Sequence, residues 1–565
     1  MTMPDFKEFE RLAEMHRIVP VYTTMVADKE TPITIYEKLA DEAPVFLLES
    51  GQGREKLSRY SFIGLDPFMT FTSYGDQVKV SKKIHQAGEE KWRETKNTEN
   101  PLTSLKKLYR EYTAPEIPEL TRYYSGGTGY FGYETVGFIE TNREVVGKEA
   151  KDKLKLPDIY LVFPRIVVIY DHLFHKYTLV MNIDVMEESS RKKGGGNFVH
   201  SPTDEGKTSS DSNDHNFKSK SDLKQKYHFA RQKLAQLTET INRENSFNEK
   251  PASMFFSGET KEATDKSGTE NSTMEDLIVH SEFKREDFKQ AVSQAKQYIE
   301  NGDIFQVVLS RCLEIKLEDS GWNIYRVLRT VNPSPYMYYL NFHDFEIVGA
   351  SPEMLVRKEG SEVCTRPIAG TRPRGQNEKE DRALAHELYH DPKEKAEHLM
   401  LLDLGRNDIG RISQYGSVEV VEEFGIEYFS HVMHMTSEVK GTVEGDKDLI
   451  DVLKACFPAG TVSGAPKIRA MEIISEYEPV KRGPYSGGVG YLSFNGNMDI
   501  AITIRTLLVK DDTGYLQAGA GIVADSIPDN EFKETLSKAR GFLKVIKEAQ
   551  KHKKQISTSK GGGSR

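Results

Sequence analysis

The sequence predicts a globular protein that mixes sheet and helix, and three observations carry that prediction. Its 565 residues are 37% hydrophobic, enough for a large core and, by length, for roughly two to four domains. Between Asp28 and Ile183, β-rich runs such as VFLLES, DIYLVFPRIVVIYD and KYTLVMNI alternate with helix-like stretches. From about Phe283 to Ala549 the chain is dense in glycine, aliphatic runs and turns, and apolar residues recur there at helical spacing.

Composition narrows the function. Net charge is −9, and the 77 basic residues are spread among 86 acidic ones without a basic block, which argues against a nucleic-acid partner. Cys312, Cys364 and Cys456 have neither paired nor metal-binding spacing, which fits a reducing cytoplasm rather than a disulfide framework or a zinc cluster. The opening MTMPDFKEFE has no leader pattern, and no run of 18 or more apolar residues occurs. The expectation is a cytoplasmic protein with no membrane partner.

In chain order, residues 1–186 are expected as a sheet-containing N-terminal domain. Within it GTGYFG literally matches the dinucleotide fingerprint, but aromatic residues interleave the glycines and no βαβ unit surrounds them, so a structural turn is the reading taken. SGGTGYFGYE near residue 125 is echoed by SGGVGYLSFNG near residue 486, and both are read as Gly-rich turns. Residues 187–280 turn rich in Ser, Gly, Lys and Asp and are expected as a flexible polar linker flanking a polar helix near residues 222–244. Residues 281–550 hold nearly every chemical motif, and 551–565 are expected as a disordered tail.

In the C-terminal half AGTVSGAPK is no P-loop, because Pro466 breaks the required ending. It offers a turn and a helix start whose N–H groups suit an anion, or simply a tight turn. QAGAGIV, with Gly519 and Gly521 lacking Cβ, either lets backbone approach a ligand or forms another turn between strands. In DPKEKAEHLMLLDLGRND, Asp391 and Pro392 predict a helix start that places Glu394 and Glu397 on one face. In NEFKETLSKAR, Glu531, Glu534 and Lys538 form a stripe separate from the apolar Phe532, Leu536, Ala539, Leu543 and Ile546.

A charged stripe is what a solvated helix face also shows. The repeated E-x-x-E favours a second reading, in which four carboxylates facing one gap hold a divalent cation; all-oxygen ligation with open water positions suits Mg²⁺. His434, in the Met-rich HVMHMTSEV, is either a satisfied core histidine or a catalyst, and Arg505 in DIAITIRTLL needs a carboxylate from protein or ligand. Together these describe a site for a small, multiply carboxylated acid held by Mg²⁺, backbone N–H groups, Arg505 and Lys538.

PIAGTRPRG, KEKAEHLMLLDLGRNDIGR, HVMHMTSEV, FPAGTVSGAPKIRAMEII, GPYSGGVGY and IPDNEFKETLSKARG closely resemble the chorismate-utilising enzymes, and among them the large (aminase) components of anthranilate synthase. The resemblance is close over residues 283–547 and thinner over 28–183. It implies an α+β fold, a large, mostly antiparallel, β-sandwich-like assembly covered by helices. It implies the conversion of chorismate and ammonia to anthranilate and pyruvate with Mg²⁺, the ammonia coming from a separate glutaminase subunit. It assigns Glu397 and Glu534 as main Mg²⁺ ligands with Glu394 and Glu531 nearby, and N–H groups around Gly370, Thr371 and Gly519, beside Gly521, to the ring carboxylate. Tyr485 and Arg505 would contact the enolpyruvyl carboxylate, Thr461 and Lys538 would complete the pocket, Glu353 would protonate the departing hydroxyl, and His434 would serve the pyruvate elimination.

Two positions separate close relatives. Gln306 stands where members that add water carry a lysine base, and Ala369 where aminodeoxychorismate synthases carry a nucleophilic lysine. LLESGQGREKLSRYSFIG and NPSPYMYYL resemble a tryptophan feedback site, with Leu48, Glu49, Ser50, Asn332, Pro333, Ser334, Tyr336 and Met337 as contacts. The alternatives carried are an aminodeoxychorismate synthase component and a catalytically silent tryptophan-binding regulator.

Overall fold

A computed structural model describes residues 2–51, 59–86, 89–140, 150–186, 219–243, 277–429 and 432–561. Its frame is one continuous antiparallel sheet folded into two layers. Two long strands, Tyr60–Tyr74 and Ile159–Asp171, pair along their length and pass from one layer to the other, with a register shift next to Pro67. Beyond their first half run, side by side, Pro44–Glu49, Tyr336–Asn341, Glu346–Ser351, Thr506–Lys510, Thr513–Ile522 and Gln306–Lys316. From the other half continue Gly127–Phe131, Gly488–Leu492, Met498–Ile502, Met354–Glu359, Glu362–Arg366 and Val432–Thr442. Ile368–Pro373 and Glu419–Tyr428 flank the last of these.

Strand alternation explains why two cores form, since successive side chains point to opposite faces. Leu47, Ile63, Val168, Tyr339 and Val348 join one apolar cluster, while their neighbours Phe46, Phe62, Ile169, Tyr338 and Ile347 join the other. The second cluster also takes Val356, Val489 and Ile500 and fills the space between layers. The first is covered by helices Phe6–Met15, Pro32–Lys38, Gly321–Val331 and the C-terminal Pro528–Gly561, whose Ala539, Phe542, Leu543 and Ile546 are buried. The α+β class is therefore the observed one. Among the described residues no helix is long and apolar enough to cross a membrane.

Two expectations are corrected. The helix expected to be polar, Lys220–Asn242, is amphipathic: Leu223, Tyr227, Ala230, Leu234, Leu237 and Ile241 are buried in the helix-covered core. Its apolar residues recur every three or four positions, and lysine and glutamine between them masked the stripe. The remaining stretches of the expected linker lie outside the described residues, except Leu277–His280, where strand Ile278–His280 pairs with Gln306–Lys316.

The echoed glycine segments are not turns. Gly127–Phe131 and Gly488–Leu492 are buried strands that pair with each other, Gly129 opposite Gly490. The glycines are there because backbone crowds them: a Cβ on Gly129 would stand 1.9 Å from the Tyr160 carbonyl oxygen, and one on Gly490 2.1 Å from that of Asp499.

Candidate functional site

The helix Pro392–Gly410 begins as the sequence predicts. Asp391 accepts hydrogen bonds from the N–H of Lys393 at 2.9 Å and of Glu394 at 3.2 Å, and Pro392 occupies the first turn, where its missing N–H costs nothing. The helix is pinned from its buried side by His398, whose Nε2 lies 2.7 Å from the Ser437 hydroxyl in strand Val432–Thr442. Ser437 Oγ also accepts the Phe424 N–H at 3.1 Å, so one hydroxyl ties the helix to the strand Glu419–Tyr428 as well. Burial pushes His398 down to about 4, which keeps the ring neutral.

This arrangement turns Glu394 and Glu397 toward two different neighbours. Glu394 pairs with Arg372 at 3.0 Å, and Arg372 also reaches Asp391 at 2.8 Å and Glu387 at 3.0 Å. Glu397 instead accepts a hydrogen bond from the Gln306 amide at 3.1 Å and has no basic partner among the described residues. Gln306 opens strand Gln306–Lys316, against Thr513–Ile522, and a Cβ on Gly521 would come within 2.7 Å of its Nε2. QAGAGIV is thus strand rather than turn, and its glycines leave room on one face: a Cβ on Gly519 would stand 2.8 Å from the Tyr485 hydroxyl.

The C-terminal helix meets the same strand. Lys538 donates to the Gly519 carbonyl at 3.0 Å and pairs with Glu534 at 2.8 Å. The Glu531 carboxyl is raised by burial and, less, by the charge of Glu534, while Ser526 and the lysines 538 and 393 hold it back. Lys393, in the first turn of the other glutamate helix, lies 4.0 Å from Asp525, just before the C-terminal helix. Both E-x-x-E helices therefore border one pair of strands. Among the described residues no three His, Cys, Asp or Glu side chains form a metal-holding group. Two of the four glutamates balance their charge against Arg372 and Lys538. Among the described residues Glu397 and Glu531 make no ion pair, and oxygen donors of this kind are the ones Mg²⁺ takes.

His434 is not an idle core residue, although Met433 and Met435 on either side are fully buried. Its Nδ1 lies 3.1 Å from the Gly370 carbonyl and 3.0 Å from the Thr371 hydroxyl. A carbonyl can only accept, so Nδ1 carries the proton and Nε2 keeps its lone pair. Burial, and then the charge of Arg505, lower its pKa, against the pull of the Gly370 bond.

Arg505 does not lie in a strand; it links Met498–Ile502 to Thr506–Lys510 with φ +50. It reaches the surface, yet the protein packed around its guanidinium lowers its pKa, and Tyr485 counters in part. Among the described residues its guanidinium makes no ion pair.

Glu353 is 6% exposed in the turn between Glu346–Ser351 and Met354–Glu359, its carbonyl held by the Ile502 N–H at 3.0 Å. Burial pushes its carboxyl up to about 8, with Thr461 and the Ile368 N–H opposing. The Thr461 hydroxyl beside it is buried, and no well-formed hydrogen bond satisfies it. A carboxyl that burial favours in its protonated form thus stands beside a buried hydroxyl.

The two distant segments of the expected effector site do meet. Pro44–Glu49 pairs with Tyr336–Asn341, Met337 opposite Glu49 and Tyr338 opposite Leu48. Ser50 donates to the Pro335 carbonyl at 2.7 Å, Ser334 N–H points to the Met337 sulfur at 3.3 Å, and Asn332 ends helix Gly321–Val331 just before Pro333. The Glu49 carboxylate is already occupied by Tyr325 at 2.7 Å and Arg329 at 2.9 and 3.0 Å, and Tyr336 donates to Asp499 at 3.1 Å. The residues that sequence reasoning missed are Arg372 and His398. An ionisable side chain inside the apolar run HLMLL was the available signal for His398.

The chain matches the chorismate binding enzyme family over residues 43–544. It is 42% identical to an anthranilate synthase component 1 of Acetivibrio thermocellus over 549 residues, 97% of this chain and 99% of that one. Against the anthranilate synthase component 1 of Aquifex aeolicus the identity is 40%, covering 97% and 99%. Among solved structures, anthranilate synthase component I from Streptococcus pneumoniae superposes with a TM-score of 0.65 at 31% identity, covering 92% of this chain and 99% of that one. A menaquinone-specific isochorismate synthase from Escherichia coli, at 18% identity and TM-score 0.61 over 96% and 98%, shares the fold.

Proposed function

The chain belongs to the chorismate-binding enzyme family, and from that premise we propose that it works as the large component of anthranilate synthase. It would take chorismate and ammonia to anthranilate, pyruvate and water. The observation that carries the proposal is near-full-length identity to components 1 of anthranilate synthase. Gln306 and Ala369, in place of the lysines of relatives with other outcomes, support amination followed by elimination over hydration or a retained pyruvyl group.

In this reading Arg505 and Tyr485 bind the enolpyruvyl carboxylate, and N–H groups at Gly370, Thr371 and Gly519 turn toward the ring carboxylate. Gly521 leaves the space, and Lys538 with the Thr461 hydroxyl completes the wall. Glu353, protonated at neutral pH because it is buried, donates its proton to the departing C4 hydroxyl as ammonia bonds to C2. His434 has its Nε2 lone pair free to take the proton lost as pyruvate leaves and the ring becomes aromatic. Glu397 and Glu534, with Glu394 and Glu531 behind them, would hold Mg²⁺, which when bound supplies positive charge at the ring carboxylate. Glu534 and Glu394 would have to loosen their pairs with Lys538 and Arg372 to contribute fully.

Ammonia would come from a separate glutaminase subunit, and tryptophan would inhibit by binding between the paired segments around Ser50 and Met337. The test is purified chain with chorismate, Mg²⁺ and ammonium salt at alkaline pH, following anthranilate fluorescence with and without tryptophan. Anthranilate should form without a partner, while glutamine should serve only once the glutaminase subunit is added. An aminated product that keeps its pyruvyl group, or no turnover at all, would overturn the reading.

A further inference from the structure

Arg482 lies outside every motif discussed so far. It is 3% exposed, and each of its five N–H groups has an acceptor. Two hold Glu478, Nε to Oε2 at 2.8 Å and Nη2 to Oε1 at 2.6 Å, forming a buried pair just beyond the end of helix Lys467–Tyr477. The other three reach three separate pieces of the site. Nη1 donates to the carbonyl of Val462, the residue after Thr461, at 2.8 Å, and to the hydroxyl of Ser486, the residue after Tyr485, at 3.1 Å. Nη2 donates at 2.7 Å to the carbonyl of Val308, which stands opposite Gly521 in the paired strands.

We propose that Arg482 is the positioning residue of the substrate cradle: it fixes the Thr461 turn, the Tyr485 loop and the Gly521 strand relative to one another without touching substrate. The inference rests on the function proposed above. A bare ammonium could not do the same work. A lysine offers three N–H groups from one point where the guanidinium offers five in a planar fork, so substitution leaves at least two of the acceptors unmet. Glu478 anchors the fork in turn, accepting the N–H and hydroxyl of Ser310 at 2.8 and 2.9 Å. A merely structural pair would add stability and nothing else. Here the three free arms end one residue from two proposed substrate contacts and across from a third.

The test is steady-state kinetics of the full chain with ammonium, comparing wild type with Arg482→Lys and Ser486→Ala, each with a melting curve. Small displacements of positioned groups cost up to about 100-fold, and here the displaced groups are proposed substrate contacts, so R482K should lower kcat/KM for chorismate about ten- to 100-fold, through a higher KM, at a temperature where it remains folded. S486A removes one arm and should raise KM about two- to tenfold. KM for ammonia should stay near wild type in both. R482K folded with wild-type kinetics overturns the inference, as does S486A at wild-type KM should R482K fail to fold. A wild-type chain inactive on chorismate would instead sink the functional proposal.

Discussion

Replacing Glu353 with glutamine separates what burial does to stability from what it does to catalysis. The buried carboxyl is raised from the ordinary 4.5 to about 8, so at pH 7 about nine-tenths of it is protonated. A group that holds its proton more tightly folded than unfolded adds stability that is fully present below pH 4.5 and is lost as pH rises through about 8. The span corresponds to about 5 kcal/mol, an upper figure because local opening relieves part of it. Glutamine has the same shape and never ionises. E353Q should therefore melt increasingly higher than wild type from about pH 4.5 upward, and the gap should widen to about pH 8 and then level off. As the proposed general acid Glu353 would contribute about 10² to 10⁴ in rate, so the same variant should lose that much kcat with ammonium. Wild-type rate per free ammonia should fall as pH rises through about 8. Melting curves against pH with initial rates on both proteins are the assay. A destabilised E353Q, or one with wild-type kcat, would refute the reasoning.

Gly521→Ala places a methyl 2.7 Å from the Gln306 amide, which must leave Glu397; the Mg²⁺ concentration for half-maximal rate should rise while the melting temperature stays within a few degrees. Arg505→Gln removes a guanidinium that makes no ion pair among the described residues, so the fold should tolerate it, while KM for chorismate rises about 10- to 100-fold in initial-rate assays. Ser50→Ala breaks the 2.7 Å bond to the Pro335 carbonyl and should weaken tryptophan inhibition in dose-response curves without changing uninhibited turnover. Gly129→Val drives a side chain into the Tyr160 carbonyl and should abolish soluble expression.

Much of the site was legible because its signals are local. Asp391 and Pro392 announce a helix start, and the spacing of Glu394 and Glu397 places them on one face whatever the tertiary fold. What the sequence could not carry is which charges meet across the chain. Nothing near Glu394 announces Arg372, and nothing in NEFKETLSKAR shows that Lys538 leans on Glu534 and the Gly519 carbonyl rather than on a ligand. The glycine segments misled for a related reason. Glycine marks both a turn and a strand crowded by neighbouring backbone, and only the partner strand decides between them. Arg482 was unreadable because its role depends on contacts with Val308, Val462 and Ser486, two of them far from it in sequence or on another element.

The pairing of Gly127–Phe131 with Gly488–Leu492, together with that of Pro44–Glu49 with Tyr336–Asn341, bears on how such a chain can be cut. Each early strand is a filler between two others, so removing the first 186 residues would strip hydrogen-bonding partners from Gly488–Leu492 and Tyr336–Asn341 at once. The remnant would display two bare, apolar ribbons ready to recruit other molecules. The proposed effector segments and the candidate site are woven into the same fabric, so a signal between them would need no hinge, only a slight shear along strands that already hold one another's hydrogen bonds.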